Sequence, residues 1–129
     1  MDKHHAIYLA NKKEADVEYL LPGLTLVRNF TAAYIAENHL TVRNPGMLAD
    51  VFNHSVEVPH FYSNFEIIDL AFMQRPEVME FIQAIDESRG VFLYRWCDAP
   101  LRYITLALFA NATEILHRQS LDLIYCHPC

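Results

Sequence analysis

Three polar side chains stand where their surroundings make them candidates for chemistry. Glu66 lies within Phe65-Glu66-Ile67-Ile68, a carboxylate on an otherwise apolar stretch. Burying a carboxylate is unfavourable unless it finds a partner or a task. Glu66 therefore reads either as a side chain whose head escapes to solvent or as a general base or nucleophile at a pocket wall. Asp98 follows an aromatic run and precedes a helical pattern, where helix capping accounts for it and a role at a pocket is the alternative. His127 follows Tyr125-Cys126, and an imidazole there either hydrogen-bonds or ligates a metal. Trp96 is the only tryptophan. It reads as a core anchor, or as a platform for the apolar face of a sugar ring.

The three cysteines, Cys97, Cys126 and Cys129, are an odd number and describe no closed disulfide framework. Cys126-His127-Pro128-Cys129 has the C-x-x-C spacing of thiol redox sites. Such sites draw a lowered thiol pKa from a helix that follows them, and no residue follows Cys129 here. His117, Cys126, His127 and Cys129 match the spacing of no compact zinc module. Three N-x-[ST] sequons occur, at Asn29, Asn53 and Asn111. Seven Asn and nine Ser plus Thr would give about half a sequon by chance, so three hint at a secretory history.

The elements that must position these groups follow from length and pattern. A chain of 129 residues supports one core. At 53% hydrophobic and 20% charged it is expected to fold. A formal charge of -6 is the wrong sign for a nucleic-acid binder. Only 3 glycines argue against a Gly-rich phosphate loop. No apolar run reaches the roughly 18 residues of a membrane span, and no signal peptide opens the chain.

His5 to Ala10 reads as a buried strand, Asn11 to Asp16 as a loop, and Leu21-Pro22-Gly23 as a turn. Thr25 then caps a helix to about His39, with Leu26, Phe30, Ala33 and Tyr34 on its apolar face. Thr41 to Val58 reads as a long irregular excursion. A strand is expected at the start of Val58 to Leu70, and a helix from Pro76 to about Ser88 with Val78, Phe81, Ile82 and Ile85 buried, stopped by Gly90. Val91 to Arg95 reads as a strand. Asp98 caps a helix to about Ala110 that buries one side, and Leu121 to Cys126 forms a final strand. Helices and strands alternate, so the class is α/β.

Three stretches carry more information together than singly. Phe61-Tyr62-Ser63-Asn64-Phe65-Glu66-Ile67, then Arg95-Trp96-Cys97-Asp98-Ala99-Pro100, then Tyr125-Cys126-His127-Pro128 resembles glycosyltransferase family 15, the fungal-type α-1,2-mannosyltransferases. There the stretches read approximately H-F-W-S-N-F-E-I, E-R-W-G-D-A-P and Y-Y-H-x-P, in the same order. The helix ending Leu106-Ala107-Leu108-Phe109 also looks like the family. Cys97 replaces the family's Gly, Tyr94 its Glu, and Cys126 a Tyr.

The resemblance implies the acceptor-side part of a GT-A-like nucleotide-sugar transferase fold over residues 1–129, a mixed sheet flanked by helices, with the nucleotide-binding half lying before the matched region. It implies a retaining transfer of mannose from GDP-mannose to a mannose-terminated acceptor, using Mn²⁺. It places Glu66 as nucleophile, Asp98 as base or acceptor ligand, Asn64, Arg95 and Trp96 in substrate binding, and His127 on the metal. It also implies a Golgi-lumenal setting as part of a longer type II membrane protein, whose anchor this chain lacks. The alternative is a non-catalytic remnant that binds at most a sugar or a partner.

Overall fold

A computed structural model describes residues 6–10, 13–15, 21–53, 59–61, 66–93, 96 and 98–117. Strand β1 (Tyr8–Ala10) is the centre of a three-stranded sheet. On one side it pairs antiparallel with β4 (Ile67–Ile68), with Tyr8 opposite Ile68 and Leu9 opposite Ile67. On the other it pairs parallel with β5 (Ile115–His117), with Tyr8 opposite Ile115. The ladders extend past the strands, because Ile7 donates its N–H to Glu114 and accepts one from Asp69, each at 2.8 Å. Every residue from Ala6 to Ala10 is buried, as its unbroken apolar run requires.

A separate two-stranded sheet joins β2 (Lys13–Ala15) to β3 (Pro59–Phe61). The polar Asn11–Asp16 stretch, read as a loop, therefore contains a strand. Lys13-Glu14-Ala15 has no polar–apolar alternation, so nothing in the pattern signals a strand.

The helices are α1 (Leu21–Glu37), α2 (Pro45–Asn53), α3 (Leu70–Met73), α4 (Pro76–Ser88), α5 (Gly90–Leu93) and α6 (Asp98–Phe109). Helix α4 has the expected bounds, with Val78, Phe81 and Ile85 buried. Helix α1 starts earlier than expected, so Leu21-Pro22-Gly23 is its first turn and not a preceding turn. A proline suits that position, since its missing N–H has no intrahelical partner to lose. The face α1 buries holds Val27 and Thr31, while Leu26 is exposed. The Thr31 hydroxyl donates to the Val27 carbonyl at 2.8 Å, which satisfies it without a partner on another element.

The excursion expected over Thr41–Val58 contains α2. Its N-terminus is set by Asn44, whose Oδ1 accepts from the Met47 N–H at 3.2 Å, with Pro45 in the first turn. The N–H groups of Arg43 and Asn44 reach the carbonyls of Leu108 and Ala107 at 3.1 and 3.0 Å, near the end of α6. One segment thus starts α2 and satisfies the carbonyls α6 leaves open. Arg28 ties α1 to the same helix through its Nε, which donates to the Val51 carbonyl at 2.8 Å. Asn44→Ala is expected to lower stability by about 1–2 kcal/mol, and Asn44→Ser to restore most of it. Urea denaturation midpoints check both.

Helix α6 was expected to bury one side, yet every residue from Tyr103 to Phe109 is buried. It runs through the core between two aromatic groups. Phe81 meets Phe109, Phe30 and Tyr34 at ring distances of 5.8, 6.2 and 5.0 Å, and Trp96 lies 5.4 Å from Phe30. In the second group Phe61 meets Tyr8 and Tyr103 at 5.9 and 5.1 Å. The strand expected at Val91–Arg95 is instead the helical turn α5 over Gly90–Leu93. No helix of the described residues is long and apolar enough to cross a membrane.

Candidate active site

The geometry around Glu66 follows from strand pairing. Tyr8 stands opposite Ile68, and Glu66 is two residues before Ile68. Side chains two apart on a strand share a face, so Glu66 is the diagonal neighbour of Tyr8, within reach of a long side chain. The Tyr8 hydroxyl donates to Glu66 Oε2 at 2.5 Å. Helix α6 crosses this face and brings in Arg102, whose guanidinium meets Glu66 Oε1 at 2.7 Å. Glu66 and Arg102 are 19% and 26% exposed at their side chains, so the pair is reachable from solvent without being fully screened by it.

Both carboxylate oxygens are therefore held by elements distant in sequence. A carboxylate offers about four lone-pair sites, and these two bonds take two of them. The side chain is oriented and still able to accept from, or attack, something else. Tyr8 is 1% exposed. Burial first, then its hydrogen bond to Glu66, pushes its hydroxyl pKa well above the ordinary 10.0. Tyr8 is thus a fixed proton donor at neutral pH and no base.

Asp98 is the exposed first residue of α6, where the helix macrodipole favours a negative charge. Its charge also acts on the Tyr8 hydroxyl, raising that pKa further. Arg102 lies four residues on, so the two share one face of the helix. The structure thus gathers Glu66 and Asp98 around Tyr8 and Arg102. Neither of the latter two was marked out in the sequence.

Trp96 is 7% exposed and packed against Phe30, which places it in the core instead of on an open sugar-binding face. Asn64, Arg95 and His127 lie outside the described residues, as do Cys97, Cys126, Cys129 and the strand expected at Leu121–Cys126. Among the described residues no group of three His, Cys, Asp or Glu converges so as to hold a metal ion.

A recess of about 290 Å³ is lined in part by Asn44, Asp50, Phe61, Tyr103 and His117. The Tyr103 hydroxyl donates to Asp50 Oδ2 at 3.3 Å, and His117 stands edge-on to Phe61 at 6.0 Å. No sequence signal short of the fold would have grouped them, since they come from α2, β3, α6 and β5.

The Tyr8–Glu66 bond gives a pH prediction. The folded-state pKa of Tyr8 is raised, so its contribution is complete below pH 10.0 and is lost as pH climbs above it, where the unfolded chain gives up the proton and the folded one does not. Tyr8→Phe is expected to cost about 2 kcal/mol at neutral pH, where Glu66 loses a donor. It should also flatten the fall in stability above pH 10. Melting curves between pH 7 and 11 measure both effects.

The three-stranded mixed sheet with flanking helices has the fold of solved GT-A-like mannosyltransferases. The comparisons with known proteins agree. The family model for glycolipid 2-alpha-mannosyltransferases matches residues 23–128, and the chain belongs to that family. It is 36% identical over 95 residues to the glycolipid 2-alpha-mannosyltransferase of Saccharomyces cerevisiae, which covers 74% of this chain and 20% of that protein.

Among solved structures it resembles core-mannan synthase A of Aspergillus fumigatus in its Mn/GDP form, with a TM-score of 0.74 and 27% identity over 91% of this chain and 34% of that one. It also resembles the S. cerevisiae mannosyltransferase Ktr4p in complex with GDP, with a TM-score of 0.67 and 26% identity over 90% and 32%. The chain thus spans about a third of the solved structures it matches and a fifth of the yeast glycolipid enzyme.

Proposed function

We propose that this chain is the acceptor-side part of a retaining α-1,2-mannosyltransferase that moves mannose from GDP-mannose to a mannose-terminated glycan in the Golgi lumen. The observation that carries the reading is the two-point grip on Glu66 by Tyr8 and Arg102. Family membership and the GDP-bound relatives support the donor class.

Glycosyl transfer passes through a state with positive charge spread over the anomeric carbon and ring oxygen. A carboxylate beside that carbon stabilises the charge or traps it as a covalent intermediate. Glu66 takes this role. Arg102 and Tyr8 are positioning residues: they fix the rotamer and leave lone pairs on Glu66 for the sugar. Asp98 has its negative charge on the same side of α6 as Arg102 and serves the acceptor hydroxyl as base or ligand. Asn64 and Arg95 bind substrate in this reading, and Trp96 serves as a core anchor beside Phe30. Manganese enters through the resemblance and the Mn/GDP form of the Aspergillus protein, and His127 would be its ligand, beside the donor's diphosphate. The described residues alone build no centre for it.

The test uses the protein as isolated from its own cells, with GDP-mannose, Mn²⁺ and a mannose-terminated oligosaccharide. An α-1,2-linked product with retained anomeric configuration is expected, as judged by nuclear magnetic resonance of the new residue. Binding of the oligosaccharide without any transfer would replace this reading with the non-catalytic module.

A further inference from the structure

The three sequons are not equivalent in the fold. Asn29 is exposed, but it lies inside the 17-residue α1, and the Thr31 its sequon needs is fully buried with its hydroxyl committed to Val27. Presenting that sequon in extended form would mean unwinding α1. Asn53 ends α2, and Ser55 lies outside the described residues. Asn111, Ala112 and Thr113 are all exposed. They form the short connection between α6 and β5, and Asn111 has an extended backbone, with φ -71° and ψ 152°. Glu114 closes a capping box on Asn111. Glu114 Oε1 accepts the Asn111 N–H at 3.0 Å, and the Glu114 N–H donates to the Asn111 carbonyl at 2.9 Å. The connection is therefore fixed in shape while its outer face is open. A surface turn of this kind is where an acceptor asparagine can be both reached and left modified.

We propose that Asn111 is an N-glycosylation site of the folded protein and that Asn29 is not. The inference rests on the lumenal setting proposed above. In the modification, Asn111 Nδ2 forms a bond to the anomeric carbon of an oligosaccharide carried on a polyprenyl diphosphate. The carbon–oxygen bond to the diphosphate breaks, the lipid diphosphate leaves with the bonding electrons, and one amide proton is released.

The test is peptide mass spectrometry of the protein purified from its own cells, before and after N-glycosidase treatment. Conversion of Asn111 to aspartate by the glycosidase is expected, with Asn29 recovered as unmodified asparagine. Thr113→Ala, which keeps Asn111 and changes only an exposed side chain, should remove one glycan's step in electrophoretic mobility, and Asn29→Gln should change nothing. A glycan on Asn29 or Asn53 with Asn111 bare would overturn the proposal and leave the lumenal reading intact. All three bare in protein recovered from Golgi membranes would do the same. All three bare in protein recovered from the cytosol would overturn both.

Discussion

Glu66→Gln is expected to lower mannosyl transfer by about 10³-fold or more while leaving the fold in place, because it removes the charge that meets the reacting carbon and little else. Glutamine has the volume of glutamate. Its Oε1 can still accept from Arg102, and its Nε2 can donate to the Tyr8 oxygen in place of accepting from it. Both positioning bonds of Glu66 thus survive in altered form. The remaining cost is the Arg102 charge left without its partner. At 26% exposure that charge keeps part of its hydration, so the penalty is about 1 kcal/mol, below the 3–5 of a fully buried pair.

The effect should therefore fall on kcat, with KM for donor and acceptor nearly unchanged and the melting temperature shifted by a few degrees at most. Glu66→Asp keeps the charge but withdraws it by one methylene from both donors, and an intermediate rate is expected. Steady-state kinetics on the protein from its own cells, with circular dichroism as the folding control, decides the matter. A Gln variant that turns over at near the wild-type rate would remove Glu66 from the reacting centre.

Much of this was legible in the residues, and the failures have identifiable causes. Helix α4 was readable because Pro76 marks its start and its apolar stripe has a clean helical period. The same start signal stands at Asn44-Pro45, where it was missed. The nine residues of α2 leave only two turns for a period to show, and Gly46 in the first of them suggests a turn instead. The one-sided burial expected of α6 failed because a helix at the centre of a core has no polar face to reveal. Its run from Tyr103 to Phe109 is apolar apart from Thr105, whose hydroxyl donates to the Leu101 carbonyl at 2.8 Å.

At the site, Glu66 and Asp98 drew attention because each is a charge beside apolar neighbours. Arg102 and Tyr8 did not. An arginine one turn into a helix and a tyrosine in a strand are ordinary until the sheet register sets Tyr8 across from Ile68 and α6 crosses the same face. A one-residue slip in that register would send Tyr8 to the other face. Contacts between residues 58 positions apart are properties of the topology, not of any local pattern.

The stop at the end of α4 was assigned to Gly90, and the structure separates two roles that this assignment merged. The left-handed residue that ends the helix is Arg89, with φ 58°. Gly90 has no positive φ, so its backbone would suit any residue. What it supplies is space. A Cβ built on Gly90 would lie 2.2 Å from Trp96 Cε3 and 2.3 Å from Cζ3, far inside the 3.5–4.0 Å of carbon contact. The indole has little room to withdraw, being 7% exposed and packed at a tilt against Phe30, while the Trp96 backbone N–H donates to the Gly90 carbonyl at 3.3 Å.

Gly90→Ala is therefore expected to destabilise by about 3 kcal/mol, the upper end of the overpacking range, since a rigid ring must move. Arg89→Gly should do the opposite and stabilise by up to about 1 kcal/mol, by relieving a left-handed non-glycine residue. Trp96→Leu costs stability by itself but opens the space, so Gly90→Ala should cost far less in that background. The coupling in such a double-mutant cycle measures the contact directly. Guanidinium denaturation of the four proteins gives it. Additive effects would mean that the indole does not rest on Gly90 in solution.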